Sequence, residues 1–261
     1  MTVKIERKSK EELTLMRQAG RIVAKVLAAM REEAQPGVST AKLDALAEDI
    51  IAQHQAIPAF KGYPHRGQND FPASICASIN EEIVHGIPNS DRVLDEGDII
   101  SIDVGAVYKG FYGDAAITLA IGEVDEETHR LLETTEGALM AGIAKAHTSN
   151  RLWSVIRAIQ SHVEQRGYNV LREYQGHGIG RNMHEKPDVP NYLAPRGHRP
   201  KNYPIMSGMT VALEPMVVAG DWHTRVLDDG WTVVTADGKR SAHFEHTIAI
   251  TDGEPEILTR L

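Results

Sequence analysis

Between Asp98 and Gly122 the chain reads DIISIDVGAVYKGFYGDAAITLAIG, two arms rich in β-branched residues around Lys109-Gly110, which is its clearest β-hairpin signal. A turn close to that tip sets Asp103 and Asp114 opposite or diagonal to each other on neighbouring strands. A fold built on this hairpin must bring two acids to one place inside an apolar sheet. Helical stripes on either side show what covers it. Ser9 and Glu12 form a capping-box pair, and Leu13, Met16, Val23, Val26, Leu27 and Met30 then recur at helical spacing, predicting a helix to about Ala34. Gln35-Pro36-Gly37 stops it, and Ser39 or Thr40 caps a second helix with the stripe Leu43, Leu46, Ile50 and Ile51.

A third helix is expected from Glu126 to about Ala146, with Leu131, Leu132, Thr135, Leu139 and Ile143 inward. A fourth follows from Asn150 to about Gln165, with Leu152, Val155, Ile156, Ile159 and Val163, before Gly167 stops it. A helix pair followed by strands thus occurs twice, at an offset of roughly 110 to 117 residues, which points to two related halves.

At 261 residues with no Ser/Gly or charge-rich linker, the chain is expected to form one catalytic domain over 11–261, preceded by an N-terminal extension over 1–10. The formal charge is −8 and no long Lys/Arg run is present, which argues against nucleic-acid binding. Cys76 is the single cysteine, so a disulfide framework and a zinc ribbon are both excluded, and a reducing cytoplasm fits. The N-terminus has no apolar signal core and no run reaches the roughly 18 apolar residues of a membrane span. A cytoplasmic protein without membrane contact is expected, and nothing demands more than a monomer.

Phe60 to Pro72, FKGYPHRGQNDFP, is a loop by its Gly, Pro, Asn and Asp content. SICASI reads as a strand, Asn80-Glu81 as a turn, and EIVHGIP as a short return ending near His85. Tyr174 to His184, YQGHGIGRNMH, sets His177 and His184 in a Gly-rich turn whose glycines let the backbone pass close to something small. A Pro-rich loop is expected from Pro187 to Pro204. Beyond it, MTVALEPMVV carries Glu214, and Asp237-Gly238 signals a hairpin joining WTVVT to SAHFEHTIAI, which carries Glu245.

Asp103, Asp114, Glu214 and Glu245 all stand in apolar strand contexts. Four such carboxylates cannot all stay ionised and unpaired, because each uncompensated buried charge costs several kcal/mol. A divalent cation is the simplest remedy. With one histidine from the Gly-rich turn the set is oxygen-rich with a single nitrogen, and it exceeds the three protein ligands of a usual catalytic zinc. Two ions about 3 to 4 Å apart, sharing a water whose pKa they lower, fit the donor count better.

These residues resemble a known family. GHGIGRNMHEKPDVPNY, the hairpin acids Asp103 and Asp114, EPMV at Glu214 and EHTI at Glu245 are similar to the methionine aminopeptidases of the type I, bacterial kind, a branch of the M24 metallopeptidases. The likeness runs from about Lys10 to the C-terminus. It implies an α/β (α+β) pita-bread fold, two pseudo-symmetric halves of antiparallel sheet covered by helices, with the metals between them. It implies that Asp103 and Asp114 bind one metal, that His177 and Glu214 bind the other with Asp114, and that Glu245 bridges with Asp114. The ions would be Co, Mn, Fe or Zn. A hydroxide on the metal pair would attack the carbonyl after the first residue, with His184 bonding the carbonyl oxygen, His85 contacting the scissile amide, and Glu214 serving as proton shuttle as well as ligand.

The same resemblance places Cys76, Phe71 and Trp231 around an apolar slot for methionine. It also suggests a monovalent cation near Asn80 and Ser241 and, as partners, nascent polypeptide N-termini at the ribosome exit. Two departures from the family stand out: Met183 replaces a common aromatic residue before His184, and the loop YPHRGQND before Phe71 is longer than the common bacterial form. Competing readings fit less well. Prolidases and aminopeptidase P usually carry a large domain ahead of the core, and a type II methionine aminopeptidase needs an insertion for which the interval from His184 to Glu214 has no room. A metal-free binding protein on the same fold is disfavoured by the intact ligand set and the acidic charge.

Overall fold

The computed structural model describes residues 5–65 and 69–261. Four helices form where the stripes predict them. The first, α1 (Lys10–Glu33), opens on the Ser9/Glu12 capping box and buries Met16, Val23, Val26, Leu27 and Met30. It is followed by α2 (Thr40–Gln53), for which the Ser39 side chain accepts the Lys42 N–H and which buries Leu43, Ala47 and Ile51. In the second half, α3 (Glu126–Ile143) is capped by Asp125, and α4 (Leu152–Glu164) ends just before Gly167, whose φ of 83° suits a glycine.

The hairpin is the spine of the first half. Ile99–Tyr108 and Phe111–Ala120 pair along their whole length with Lys109-Gly110 as the turn. The other edge of Ile99–Tyr108 is shared end to end by Ile75–Ile79 and Ile57–Pro58. One face of this sheet is covered by α1, which approaches so closely that a Cβ on Gly113 would stand 2.7 Å from the Gly20 nitrogen. The opposite face carries the acids.

In the second half, a five-stranded antiparallel sheet runs in the order Glu256–Ile257, His246–Ala249, Thr210–Leu213, Gln175–Gly178, Glu185–Pro190. Ser241–His243, Met216–Val218 and Asn169–Val170 form a second sheet. Both α3 and α4 pack over these strands. Helix pair and sheet therefore recur, as the periodicity suggests.

Several connections depart from the expected ones. The Gly-rich stretch is in part a strand, because Gln175–Gly178 lies between two partners, and the supposed Pro-rich loop begins inside its neighbour, the strand Glu185–Pro190. Glu82–Val84 does return after a turn at Asn80 (φ 55°), yet its ladder partner is the strand Val233–Thr235, and only beyond its end does the Gly86 carbonyl accept the Ala77 N–H, 2.8 Å away. The Asp237-Gly238 turn forms too, but its arms part company. Val233–Thr235 is taken by Thr224–Val226 and Glu82–Val84, while Ser241–His243 joins Met216–Val218.

The expected strands MTVALEPMVV and SAHFEHTIAI each break in the middle. Leu213 pairs with His246 on one side of the break and Met216 with His243 on the other, so one register continues across it and Glu214 lies opposite Glu245. Pro215 has no N–H to give the ladder, which is a sufficient reason for the interruption.

Candidate active site

The two halves meet along the hairpin's outer strand. Ala116 and Glu245 exchange backbone hydrogen bonds, with the Glu245 N–H donating at 2.9 Å and that of Ala116 at 3.4 Å. The Thr247 hydroxyl accepts the Asp114 N–H (3.0 Å) and donates to the Asp114 carbonyl (2.7 Å). Thr118 likewise ties its hydroxyl to the backbone of His243. The seam therefore delivers Glu245 beside the two aspartates.

Asp103 pairs with Ala116, and Asp114 with Gly105, so the acids are diagonal neighbours on one face. On the other side of Asp103 its cross-strand partner is Cys76. From the five-stranded sheet His177 enters with its Nδ1 2.9 Å from the Gly178 carbonyl oxygen. A carbonyl can only accept, so Nδ1 carries the hydrogen and Nε2 presents its lone pair. That Nε2 lies 3.4 Å from Glu214 Oε1 and 4.0 Å from Asp114 Oδ2. Asparagine 191 steadies the glutamate from behind, its Nδ2 donating to the Glu214 carbonyl at 3.0 Å.

Electrostatics show what this cluster lacks. Burial pushes the Asp103 carboxyl up to about 7. Burial, reinforced by neighbouring carboxylates, lifts Asp114, Glu214 and Glu245 well above the usual carboxylate range. The His177 imidazole is held down at about 4, chiefly by burial and secondarily by His184. Asp103 Oδ1, Asp114 Oδ1 and Glu245 Oε1 are buried with no hydrogen-bond partner. Ligand atoms of Asp114, His177 and Glu245 all lie within 4.8 Å of one another. Orphaned anionic oxygens beside a fixed imidazole lone pair are a donor set that fits divalent cations.

The cluster floors a cavity of about 280 Å³. Every residue expected at the site lines it: Asp103, Asp114, His177, Glu214 and Glu245, the two histidines His85 and His184, and Cys76, Phe71 and Trp231. The last three pack with Phe60, Ala59, Ala73 and Met183 into a separate apolar cluster. His85 takes the rare φ of 63°, with its ring edge-on to Tyr174 and Trp231. At the mouth His184 stays exposed, its Nδ1 2.8 Å from the Tyr63 hydroxyl.

The sequence assigned no role to Tyr63, His65 and Tyr174, which stand in the cavity wall, or to Thr247 and Asn191 behind it. Nothing in the spacing marks Thr247, whose role depends on a contact across 133 residues. The expectation of a lengthened loop falls partly on 66–68, outside the described residues. The glycines have a different purpose from the one expected. A Cβ on Gly176 would stand 2.4 Å from the Ala212 carbonyl oxygen and one on Gly178 2.4 Å from that of Lys186, so both admit neighbouring strands rather than a bound group.

Two helix-covered halves enclosing a carboxylate–histidine centre define a metallopeptidase class, and the profile of metallopeptidase family M24 matches residues 14–252. The methionine aminopeptidase of Clostridium acetobutylicum is 52% identical over 252 residues, covering 97% of each chain. Methionine aminopeptidase 1 of Bacillus subtilis is 49% identical over 254 residues, covering 97% of this chain and 98% of its own. The crystal structure of methionine aminopeptidase from Thermotoga maritima superposes with a TM-score of 0.93 at 44% identity, over 99% of this chain and 100% of that one. The chain belongs to the methionine aminopeptidases, type I bacterial branch, of the M24 metallopeptidases, and it has their pita-bread fold. Membership of a metallopeptidase family implies divalent metal ions. Among the described residues no helix is long and apolar enough to cross a membrane.

Proposed function

We propose that this chain hydrolyses the N-terminal methionine from peptides and nascent proteins, preferring a small second residue, with two divalent ions held by Asp103, Asp114, His177, Glu214 and Glu245. The observation that carries this reading is one cavity in which an apolar slot lined by Phe60, Phe71, Cys76, Met183 and Trp231 adjoins the buried acidic cluster. Methionine is unbranched and polarisable, and such a slot suits it. When bound, the ions supply Lewis acidity and lower the pKa of water at the scissile carbonyl.

The protein side of the reaction follows from placement. Asp103, Asp114, His177, Glu214 and Glu245 would together hold the two ions, as their orphaned buried oxygens and the free His177 Nε2 support. His184 donates a hydrogen bond to the substrate carbonyl oxygen as negative charge grows there. Tyr63 holds the His184 ring through Nδ1 and so orients Nε2. His85, fixed in an unusual backbone conformation within the cavity wall, contacts the scissile amide. Glu214, in the cavity beside His177 Nε2, carries a proton to the departing amine. A second cleft lined by Glu173, Gln175, Lys186 and Asp188 opens from His177 and His184 and accommodates the rest of the peptide.

The single catalytic body over 11–261, a monovalent cation on the backbone near Asn80 and Ser241, a monomeric state and a cytoplasmic place of work complete the proposal. So does action on chains emerging at the ribosome exit. The Ser241 N–H already donates to the Asn80 carbonyl at 2.9 Å, which brings those two residues together. The decisive experiment is a tripeptide panel run after chelation and reloading with Mn, Fe, Co or Zn. Met-Ala-Ser loses its methionine rapidly, whereas Met-Lys-Ser and Leu-Ala-Ser are poor substrates. Equal rates on all three would sink the specificity, and no release with any metal would sink the activity.

A further inference from the structure

Among the described residues Lys8 is the one buried lysine or arginine. It lies before α1, and its Nζ is 2.5 Å from Glu185 Oε2, with side-chain exposures of only 4% and 9%. Glu185 immediately follows His184. Its other oxygen, Oε1, accepts the backbone N–H groups of Arg181 (2.8 Å) and Asn182 (3.1 Å), so one carboxylate gathers the turn that carries Met183 and His184 into the cavity. The lysine passes directly over Gly180, where a Cβ would stand 2.2 Å from Lys8 Cε. That glycine's carbonyl in turn accepts the Tyr112 N–H at 2.9 Å, on the hairpin strand that bears Asp114.

The segment before α1 is itself pinned. The Lys8 N–H donates to the Gly208 carbonyl, and Arg7 Nε to that of Ser207, both at 2.6 Å. A buried ion pair is a poor device for stability alone, since an apolar pair of similar volume often does as well. It is a good device for fixing geometry, because a carboxylate that must satisfy one ammonium and two amides has little freedom. We propose that Lys8 is a positioning residue for the hydrolysis: through Glu185 it sets the turn that places His184 at the substrate carbonyl and Met183 in the methionine slot. This rests on the function proposed above.

The test compares full-length, metal-loaded enzyme with Lys8→Met, Glu185→Gln and, as a control in the same segment, the exposed Lys10→Met. Rates on Met-Ala-Ser and Leu-Ala-Ser are normalised to metal content and measured well below each melting temperature. Lys8→Met is expected to lower kcat on Met-Ala-Ser by about tenfold or more, as misplacement of reacting groups does, with KM changing less. It should also narrow the preference for methionine over leucine by about threefold or more, as a reshaped slot does. A role in stability alone would move the melting temperature and leave that ratio unchanged. Glu185→Gln keeps an acceptor for the two amides and should lose less, and Lys10→Met nothing.

A Lys8→Met enzyme within about twofold of the parent in kcat, with an unchanged methionine-to-leucine ratio, overturns the proposal. If Lys8→Met fails to fold, an unchanged kcat and ratio in Glu185→Gln overturns it equally. A parent enzyme that releases no methionine with any divalent metal refutes the underlying function instead.

Discussion

The two halves bring their acids to the seam by different means. In the first, Asp103 and Asp114 sit on the unbroken hairpin Ile99–Tyr108/Phe111–Ala120, diagonal to each other across one ladder. In the second, Glu214 and Glu245 face each other across a ribbon whose strands are separated by the excursion from Val218 to Ser241 and whose ladder fails at Pro215. A continuous ladder keeps side chains perpendicular to the sheet, which suits ligands standing above a flat face. A break frees the backbone to turn both glutamates toward the hairpin. The hairpin acts as the floor of the site and the interrupted ribbon as its clamp.

If that division is right, removal of an acid at the floor should be the gravest change. Asp114→Asn is expected to weaken metal binding and lower activity by more than the roughly 10- to 100-fold typical of outer-shell changes, as followed by chelator competition and by methionine release. Unaltered metal affinity in that variant would break the comparison. His184→Ala leaves both floor and clamp intact. It should retain its metal and lose about 10²-fold in kcat, the usual scale for a lost transition-state hydrogen bond. Loss of the metals in His184→Ala would mean that the assignment of ligands is wrong.

Thr247→Val probes the seam. It leaves the buried Asp114 N–H without its acceptor, which costs about 1–3 kcal/mol. A lower melting temperature together with a metal affinity reduced about 10-fold is expected. A fall in melting temperature with unchanged affinity would show that the halves stay docked without this bond.

The smallest effect is one of pH on the chelated protein. Asp103 is raised from 3.8 to about 7, and Asp114, Glu214 and Glu245 are raised well above their ordinary range. The folded state therefore binds protons more tightly at these groups, and their stabilising contribution is lost as pH rises through the folded values. His85, His177 and His246, lowered from 6.5 to about 4, and His243, lowered to about 3, act in the opposite sense, costing stability as pH falls from 6.5. Above pH 6.5 the imidazole contribution fades, while that of the carboxylates continues. The melting temperature of the metal-free protein should fall from pH 6.5 to 8, and that of the loaded protein should not follow it. A flat metal-free profile over that interval would contradict the electrostatic account of the floor.

How legible each half was in the sequence follows the same contrast. The hairpin could be read because its turn, its β-branched arms and both its acids lie within one short stretch, where local propensity and tertiary pairing agree. The helices were legible for the same reason, down to the Ser9 cap. In the second half Glu214 and Glu245 could be picked out as acids in apolar runs, but the strand breaks around them could not. The partners that decide those breaks are remote, as when Thr224–Val226 claims the strand Val233–Thr235 that the Asp237-Gly238 turn seemed to offer to Ser241–His243. Gly176 and Gly178 stood out as glycines, yet their purpose depends on the Ala212 and Lys186 carbonyls, which periodicity does not reveal. Tyr63 was hidden by a loop without a repeat to read.

The interrupted ribbon also bears on the order in which the molecule assembles. A hairpin closes over a short loop within microseconds, whereas joining Glu214 to Glu245 and then both to the hairpin requires contacts between residues far apart in the chain. The full donor set therefore comes into being with the last long-range closure, after most of the helix and sheet is formed. In a refolding experiment metal uptake should lag behind the recovery of secondary structure, so the ion serves as a timer for the final docking of the two halves.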